Sequence, residues 1–147
     1  MNSTGIESID HSVQLARLWI KELDALAGWE NTSRTYRLLR AVLQAVRDWL
    51  PPDEAADLGA QLPVLLRGVY YEHWRPAATP VKQRDKASFI GRIDRSFALD
   101  PLGDSAESVS LVFRFLARKI SSGEIEHVRH DLPSDLRALW PANLAAQ

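Results

Sequence analysis

Residues 62–67 read Leu-Pro-Val-Leu-Leu-Arg, and residues 132–137, 70 positions later, read Leu-Pro-Ser-Asp-Leu-Arg. The chain matches itself at this offset without a gap, and a fixed offset is typical of tandem structural repeats. The identical pairs are Ile20/Ile90, Asp24/Asp94, Glu54/Glu124, Leu62/Leu132, Pro63/Pro133 and Arg67/Arg137. We therefore predict a first repeat at residues 12–74, a linker at 75–86 and a second repeat at 87–141.

The apolar residues of both halves follow the period of a helix. In the first half, one apolar stripe runs from Val13 to Ala27 and a second runs from Tyr36 to Leu50. Apolar residues three and four positions apart predict amphipathic helices. Matched apolar pairs at the same offset include Trp19/Phe89, Leu23/Ile93, Val42/Val112, Leu43/Phe113 and Leu58/Val128. No convincing alternation of period two is present, so we expect no strands.

Turn and capping residues give the predicted helix ends. Gly28 is expected to stop the first helix, and prolines at 51, 52, 63 and 133 are expected to end one helix or begin the next. Asp104 with Glu107, and Ser121 with Glu124, have the three-residue spacing of a capping box.

The length of the chain decides between one domain and two. Its 147 residues can form a full hydrophobic core, whereas half of it, about 70 residues, is marginal alone. We therefore predict an all-α fold, in which the two repeats pack as one pseudo-symmetric helical bundle over residues 1–147. Pro76 and Pro80 predict an extended linker, and we expect the tail from Pro141 to Gln147 to be frayed.

Composition and motifs exclude several functional classes. The chain has no cysteine, which excludes disulfides, thiolate metal sites and a cysteine nucleophile. Its net charge of −1 argues against a dedicated polyanion binder. No nucleophile elbow, kinase signature or phosphate-binding loop is present, so we expect neither catalysis nor a cofactor. The N-terminus lacks a leader pattern and no stretch is long enough for a membrane span, so we expect a cytoplasmic protein.

The densest group of functional residue types is Tyr70-Tyr71-Glu72-His73-Trp74-Arg75, our candidate ligand or partner surface. Aromatic faces with a paired Arg and Glu line many ligand and peptide grooves. The alternative is packing, with Tyr70 and Trp74 one helical turn apart against the seam between the repeats. We favour packing because Pro76 forces the fourth helix to end near Trp74. Truncation of a buried Trp74 is then expected to cost about 3–5 kcal/mol.

A second cluster has the residue types of a metal site. Its members are Glu124, Glu126, His127, His130 and Asp131. His127 and His130 lie three apart on a predicted helix, so both imidazoles can face one ion. We favour a solvated charged face and no metal, because this segment lacks a His-Glu-x-x-His pattern and further ligands.

Two groups of cations are assigned structural roles. We expect the repeated Arg67 and Arg137 to form ion pairs with Glu54 and Glu124 rather than to bind anions. The linker region carries a basic group: Lys82, Arg84, Lys86, Arg92 and Arg95. Since no aromatic residues are interleaved with these cations, solvation is favoured over nucleic-acid binding.

Three segments of the sequence resemble a bacterial family known as domain of unknown function 2267. They are Tyr36–Trp74, the linker around Thr79-Pro80-Val81-Lys82 with Arg84, and Ser122–Trp140. The likeness runs from about Ser12 to Pro141, and it implies an all-helical bacterial protein with no assigned activity. The family pattern favours Gly where this chain has His73, so the resemblance gives His73 no role.

Together these patterns predict a non-catalytic interaction or scaffold module with a protein partner. The alternative is a small-ligand-binding protein or enzyme that uses the Tyr70–Arg75 segment. Nucleic-acid binding through the basic linker is a weaker alternative, and neither the partner nor the oligomeric state can be predicted from the sequence.

Overall fold

The computed structural model describes residues 3–141, and throughout them the regular secondary structure is helical. The α-helices are α1 (Glu7–Ala27), α2 (Thr32–Trp49), α3 (Pro52–Ala60), α4 (Val64–Tyr71), α5 (Lys86–Arg95), α6 (Ser105–Lys119), α7 (Ser122–Asp131) and α8 (Ser134–Arg137). The prediction of an all-α fold without strands is confirmed for this part of the chain.

The helix ends lie at the predicted stop and capping residues. Gly28 adopts a left-handed conformation with φ of 68° and its N–H donates to the carbonyl of Asp24, which ends α1. The side chains of Asp104 and Ser121 accept hydrogen bonds from the backbone N–H groups three residues later, at the starts of α6 and α7. Pro63 and Pro133 directly precede α4 and α8.

Two long helices, α2 and α6, form the centre of the molecule. They pack against each other, α1 packs on both, and α5 packs on both from another side. Their apolar rows are buried: Leu39, Val42, Leu43 and Val46 on α2, with Val109, Val112, Phe113 and Leu116 on α6. Since helices of both halves cover these rows, the halves share one hydrophobic core.

The shorter helices extend this arrangement. α3 and α4 pack on α2 and on each other, α3 also packs on α7, and α8 packs on α7. The contact between α3 and α7 therefore joins the first half of the chain directly to the second. It also holds the polar cluster described below.

Several helix bounds differ by the predicted offset of 70. α3 and α7 begin at Pro52 and Ser122, and α4 and α8 begin at Val64 and Ser134. The ends of α2 and α6, at Trp49 and Lys119, differ by the same number. Superposition of the halves is what tests a repeat, so the tandem repeat stays a prediction.

The linker is less extended than predicted. Pro76–Ala78 form a 3₁₀ turn, because proline fits the first position of a short helical turn. The linker is also tied to the end of α2, where the N–H of Val81 donates to the carbonyl of Asp48 at 2.9 Å. Residues 142–147 of the predicted tail lie outside the described residues.

No helix within residues 3–141 combines the length and the apolar character that crossing a membrane requires.

Candidate functional site

The first turns of α3 and α7 each carry a glutamate, and the two side chains meet where these helices pack together. Glu54 lies on α3 and Glu124 on α7, where a carboxylate is stabilised by the helix N-terminus. Only 9% of Glu124 is exposed, whereas Glu54 is half-buried. Glu124 therefore does not belong to the solvated charged face predicted from the sequence.

One turn further along α7, His127 completes the cluster. One carboxylate oxygen of each glutamate and one imidazole nitrogen of His127 all lie within 4.8 Å of one another. Glu124 and His127 are three residues apart on α7, so their side chains project from the same helix face. We call Glu54, Glu124 and His127 the carboxyl–imidazole cluster.

The carboxyl oxygens of this cluster are poorly satisfied. Apart from a proton shared between the two carboxyl groups, no hydrogen-bond donor among the described residues reaches Oε1 of Glu54 or Oε2 of Glu124, although both atoms are buried. Burial, followed by the neighbouring Glu124 carboxyl, raises the pKa of Glu54 to about 8. Close carboxyl groups disfavour a second negative charge, so Glu54 keeps its proton at neutral pH unless another cation replaces it.

An open cleft of about 610 Å³ adjoins the cluster. It is lined by Glu54, Asp57, Glu126, His127, His130 and Asp131. Of the metal-type residues singled out in the sequence, the structure thus places Glu124 and His127 in the cluster. His130, Glu126 and Asp131 line only the cleft.

Glu54 is not among the metal-type residues predicted from the sequence. Glu54 and Glu124 are identical at the predicted repeat offset of 70. Equivalent positions of two repeats can come together where the repeats pack, so this identity could have predicted that Glu54 lies beside Glu124.

The predicted ion pairs of Arg67 and Arg137 with these glutamates are wrong. Within residues 3–141, no salt bridge joins Arg67 to Glu54 or Arg137 to Glu124. Arg67 instead donates to the carbonyls of Gly59 and Leu62, both at 2.9 Å, and Arg137 donates to the carbonyl of His130 at 2.9 Å. Each guanidinium stabilises the C-terminal end of the preceding helix, which leaves the glutamates without an arginine partner.

The Tyr70–Arg75 segment divides between the interior and the surface. Tyr70 is fully buried, and its hydroxyl donates to the carbonyl of Ala55 at 2.6 Å. Because α4 ends at Tyr71, Trp74 does not lie one helical turn after Tyr70 as predicted. Trp74 is half-buried and its ring packs on Tyr71, with 5.2 Å between the ring centroids.

The polar members of the segment, Glu72, His73 and Arg75, are exposed. His73 has a φ of 62°, a left-handed conformation that glycine adopts without strain. The segment's aromatic rings therefore face the core while its charged groups face solvent.

Arg47 of α2 organises this junction and was not singled out in the sequence. It is 2% exposed and donates to the carbonyls of Tyr70, in the last turn of α4, at 2.8 Å and of Glu72, just beyond that helix, at 2.6 Å. Its guanidinium also makes two hydrogen bonds to Asp48, which in turn pairs with Arg92 at 2.6 Å. An arginine beside a buried stripe gives no sequence signal for such a network.

The basic group of the linker region is partly used within the fold. Arg84 donates to the carbonyls of Trp49 at 3.0 Å and Asp131 at 3.3 Å, so it connects α2 to the end of α7. Arg92 pairs with Asp48, whereas Lys82, Lys86 and Arg95 are exposed. Two of the five cations thus have structural partners.

The outward face of α4 is apolar. Val64 and Leu65 are 65% and 45% exposed, and Gly68 is exposed one turn later. α8, which also follows a Leu-Pro pair, has exposed Ser134 and Asp135 at its first two positions. Polar residues can therefore occupy the first two positions of a helix that follows a Leu-Pro pair.

Comparison with known proteins identifies a family whose description names no activity. No curated protein shows significant sequence similarity to this chain. The sequence pattern of a family described as Uncharacterized conserved protein (DUF2267) matches residues 16–139, which is most of the chain. The chain belongs to this DUF2267 family.

Proposed function

We propose that this protein is a non-catalytic helical interaction module that binds a protein partner through the outward face of α4. The observation that supports this function is the exposure of Val64 and Leu65 at the start of that helix. Clustered exposed apolar side chains are typical of protein-binding surfaces.

The first turn of α4 is apolar where the first turn of α8 is polar. Both helices follow a Leu-Pro pair, yet α8 begins with Ser134 and Asp135 where α4 begins with Val64 and Leu65. Arg67, the one charged residue of α4, turns back to the carbonyls of Gly59 and Leu62. The outward face is thereby left apolar, which favours docking of an apolar surface, such as one face of a partner helix.

Site-specific photocrosslinking in the native host tests this proposal. A benzophenone amino acid at position 64 is expected to give a discrete adduct, and the same probe at position 134 of α8 is the matched control. The adduct is then identified by mass spectrometry, and its binding to the purified protein is measured.

Leu65→Asp, which gives α4 the residue found in α8, is expected to abolish the adduct and the binding while the helical signal and melting temperature are kept. If positions 64 and 134 give the same adducts, or if Leu65→Asp binds normally, the proposal is wrong. An adduct with a second copy identifies the partner as the chain itself, which light scattering confirms.

We also propose that the module works in the bacterial cytoplasm. The family that the sequence resembles is bacterial, and this likeness supports the proposal. Fractionation of the native host, with detection by antibody, tests the location, and recovery in the membrane or culture medium would contradict it.

A further inference from the structure

We infer that the carboxyl–imidazole cluster of Glu54, Glu124 and His127 binds one divalent transition-metal ion between α3 and α7. This inference goes beyond the proposed docking function and uses none of the residues on the outward face of α4.

The geometry of the cluster suits a single metal ion. Ligand atoms of the three side chains lie within 4.8 Å of one another, and two of them come from one face of α7 while the third comes from α3. Metal–ligand distances of about 2.0–2.2 Å require the three atoms to draw somewhat closer around an ion. The side chain of His127 is exposed, so its ring can rotate toward the glutamates without repacking the core.

The burial of Glu124 also requires a positive partner. Glu124 is 9% exposed, and apart from a proton shared with Glu54 no donor within the described residues reaches its buried Oε2. Buried polar atoms in folded proteins nearly always have a partner, and a buried carboxylate needs a positive one. Arg67 and Arg137, which the sequence predicts as partners of these glutamates, donate to backbone carbonyls instead.

As that positive partner, a metal ion satisfies more of the cluster than a shared proton does. A proton serves only the two carboxyl groups, whereas a metal ion also uses the imidazole nitrogen. The adjoining cleft adds the carboxylates of Asp57 and Asp131, which attract a cation. Because the cleft is open, water or a further ligand can occupy the remaining positions around an ion.

The donor atoms indicate the class of metal. Two carboxylates and one imidazole suit zinc, manganese, iron or cobalt, since nitrogen donors are favoured by these ions. Calcium and magnesium prefer an all-oxygen shell, so they are expected to bind more weakly.

The test uses the full chain without an affinity tag, after treatment with a chelator and dialysis. Zn²⁺ and Mn²⁺ binding is measured by calorimetry, and Co²⁺ binding by its visible absorption, which reports the coordination of the ion. We expect one ion per chain and a melting temperature that rises with the metal concentration.

Two variants remove a ligand and two remove its neighbours. Glu54→Gln and His127→Ala are expected to weaken binding by more than about 10-fold, because even the outer partners of metal ligands contribute that much. Glu126→Gln and His130→Ala change exposed residues of α7 that line only the cleft, so they are expected to bind as the unmodified chain does. Circular dichroism of each metal-free variant checks that it folds.

Three outcomes would overturn the inference. One is no stoichiometric binding of any of these ions. Another is an equal loss of metal affinity in His130→Ala and His127→Ala, which indicates that the ion binds to exposed side chains of the cleft and not to the cluster. The third is unchanged metal affinity in Glu54→Gln, which shows that Glu54 is not a ligand and that the glutamates share only a proton.

Discussion

At the scale of single residues, Glu54 makes the stability of the metal-free protein depend on pH. Its ordinary pKa of 4.5 is raised to about 8 by burial and by Glu124. The other groups facing it are His127 and Asp131 of α7, Asp57 of its own helix and Tyr70 of α4. Between these two pKa values the folded chain binds more protons than the unfolded chain, so stability falls as pH rises from about 4.5 to about 8.

Glu54→Gln removes this titration while it keeps the side chain's shape. We expect the variant to be more stable than the unmodified chain at pH 8, by on the order of 1 kcal/mol, and nearly equal to it at pH 4.5. Urea unfolding at several pH values, with chelator present, measures the difference. Glu126→Gln is the control, and a parallel pH profile for Glu54→Gln and the unmodified chain would contradict the assignment.

At the scale of one element, the end of α4 changes the expected cost of losing Trp74. The sequence predicts a helix to Trp74, but α4 ends at Tyr71 and Trp74 is only half-buried. Tyr70, in contrast, is fully buried and bonded to Ala55. We therefore expect Trp74→Ala to cost about 1–2 kcal/mol and Tyr70→Ala about 3–5 kcal/mol.

Thermal or urea unfolding of both variants ranks these costs. Tyr70→Phe serves as the control, because it keeps the ring and loses only the hydroxyl that donates to Ala55. A larger loss for Trp74→Ala than for Tyr70→Ala would return Trp74 to the anchoring role expected from the sequence.

The elements also show which features were predictable from the sequence. Gly28 and Ser121 act within a few residues of chain, so the ends of α1 and the start of α7 follow from local rules. Arg67 and Arg47 each donate to backbone carbonyls of other segments, contacts that no residue pattern specifies. The place of Glu54 in the carboxyl–imidazole cluster depends in the same way on tertiary packing. Its neighbours Glu124 and His127 lie 70 and 73 positions away in the chain and come close to it only because α3 packs on α7.

At the scale of the whole molecule, the two halves depend on each other for a core. The buried row of α2 is covered in part by α5 and α6, and α1 also packs on α6. A first half alone would expose Leu39, Val42 and Leu43 wherever α5 and α6 now cover them. A half-chain is also near the lower limit of length for an independent domain.

We therefore expect fragments 1–78 and 79–147, cut within the linker, to lack cooperative unfolding when each is studied alone. Mixed together, they are expected to recover the helical signal and one cooperative transition, because the interface between them is the core itself. Leu43→Asp in the first fragment, at a fully buried position, is expected to prevent recovery, whereas Leu65→Asp, at an exposed one, is not. Separate cooperative transitions for the two fragments would show instead that each half folds independently and that the shared core is only a contact between two finished units.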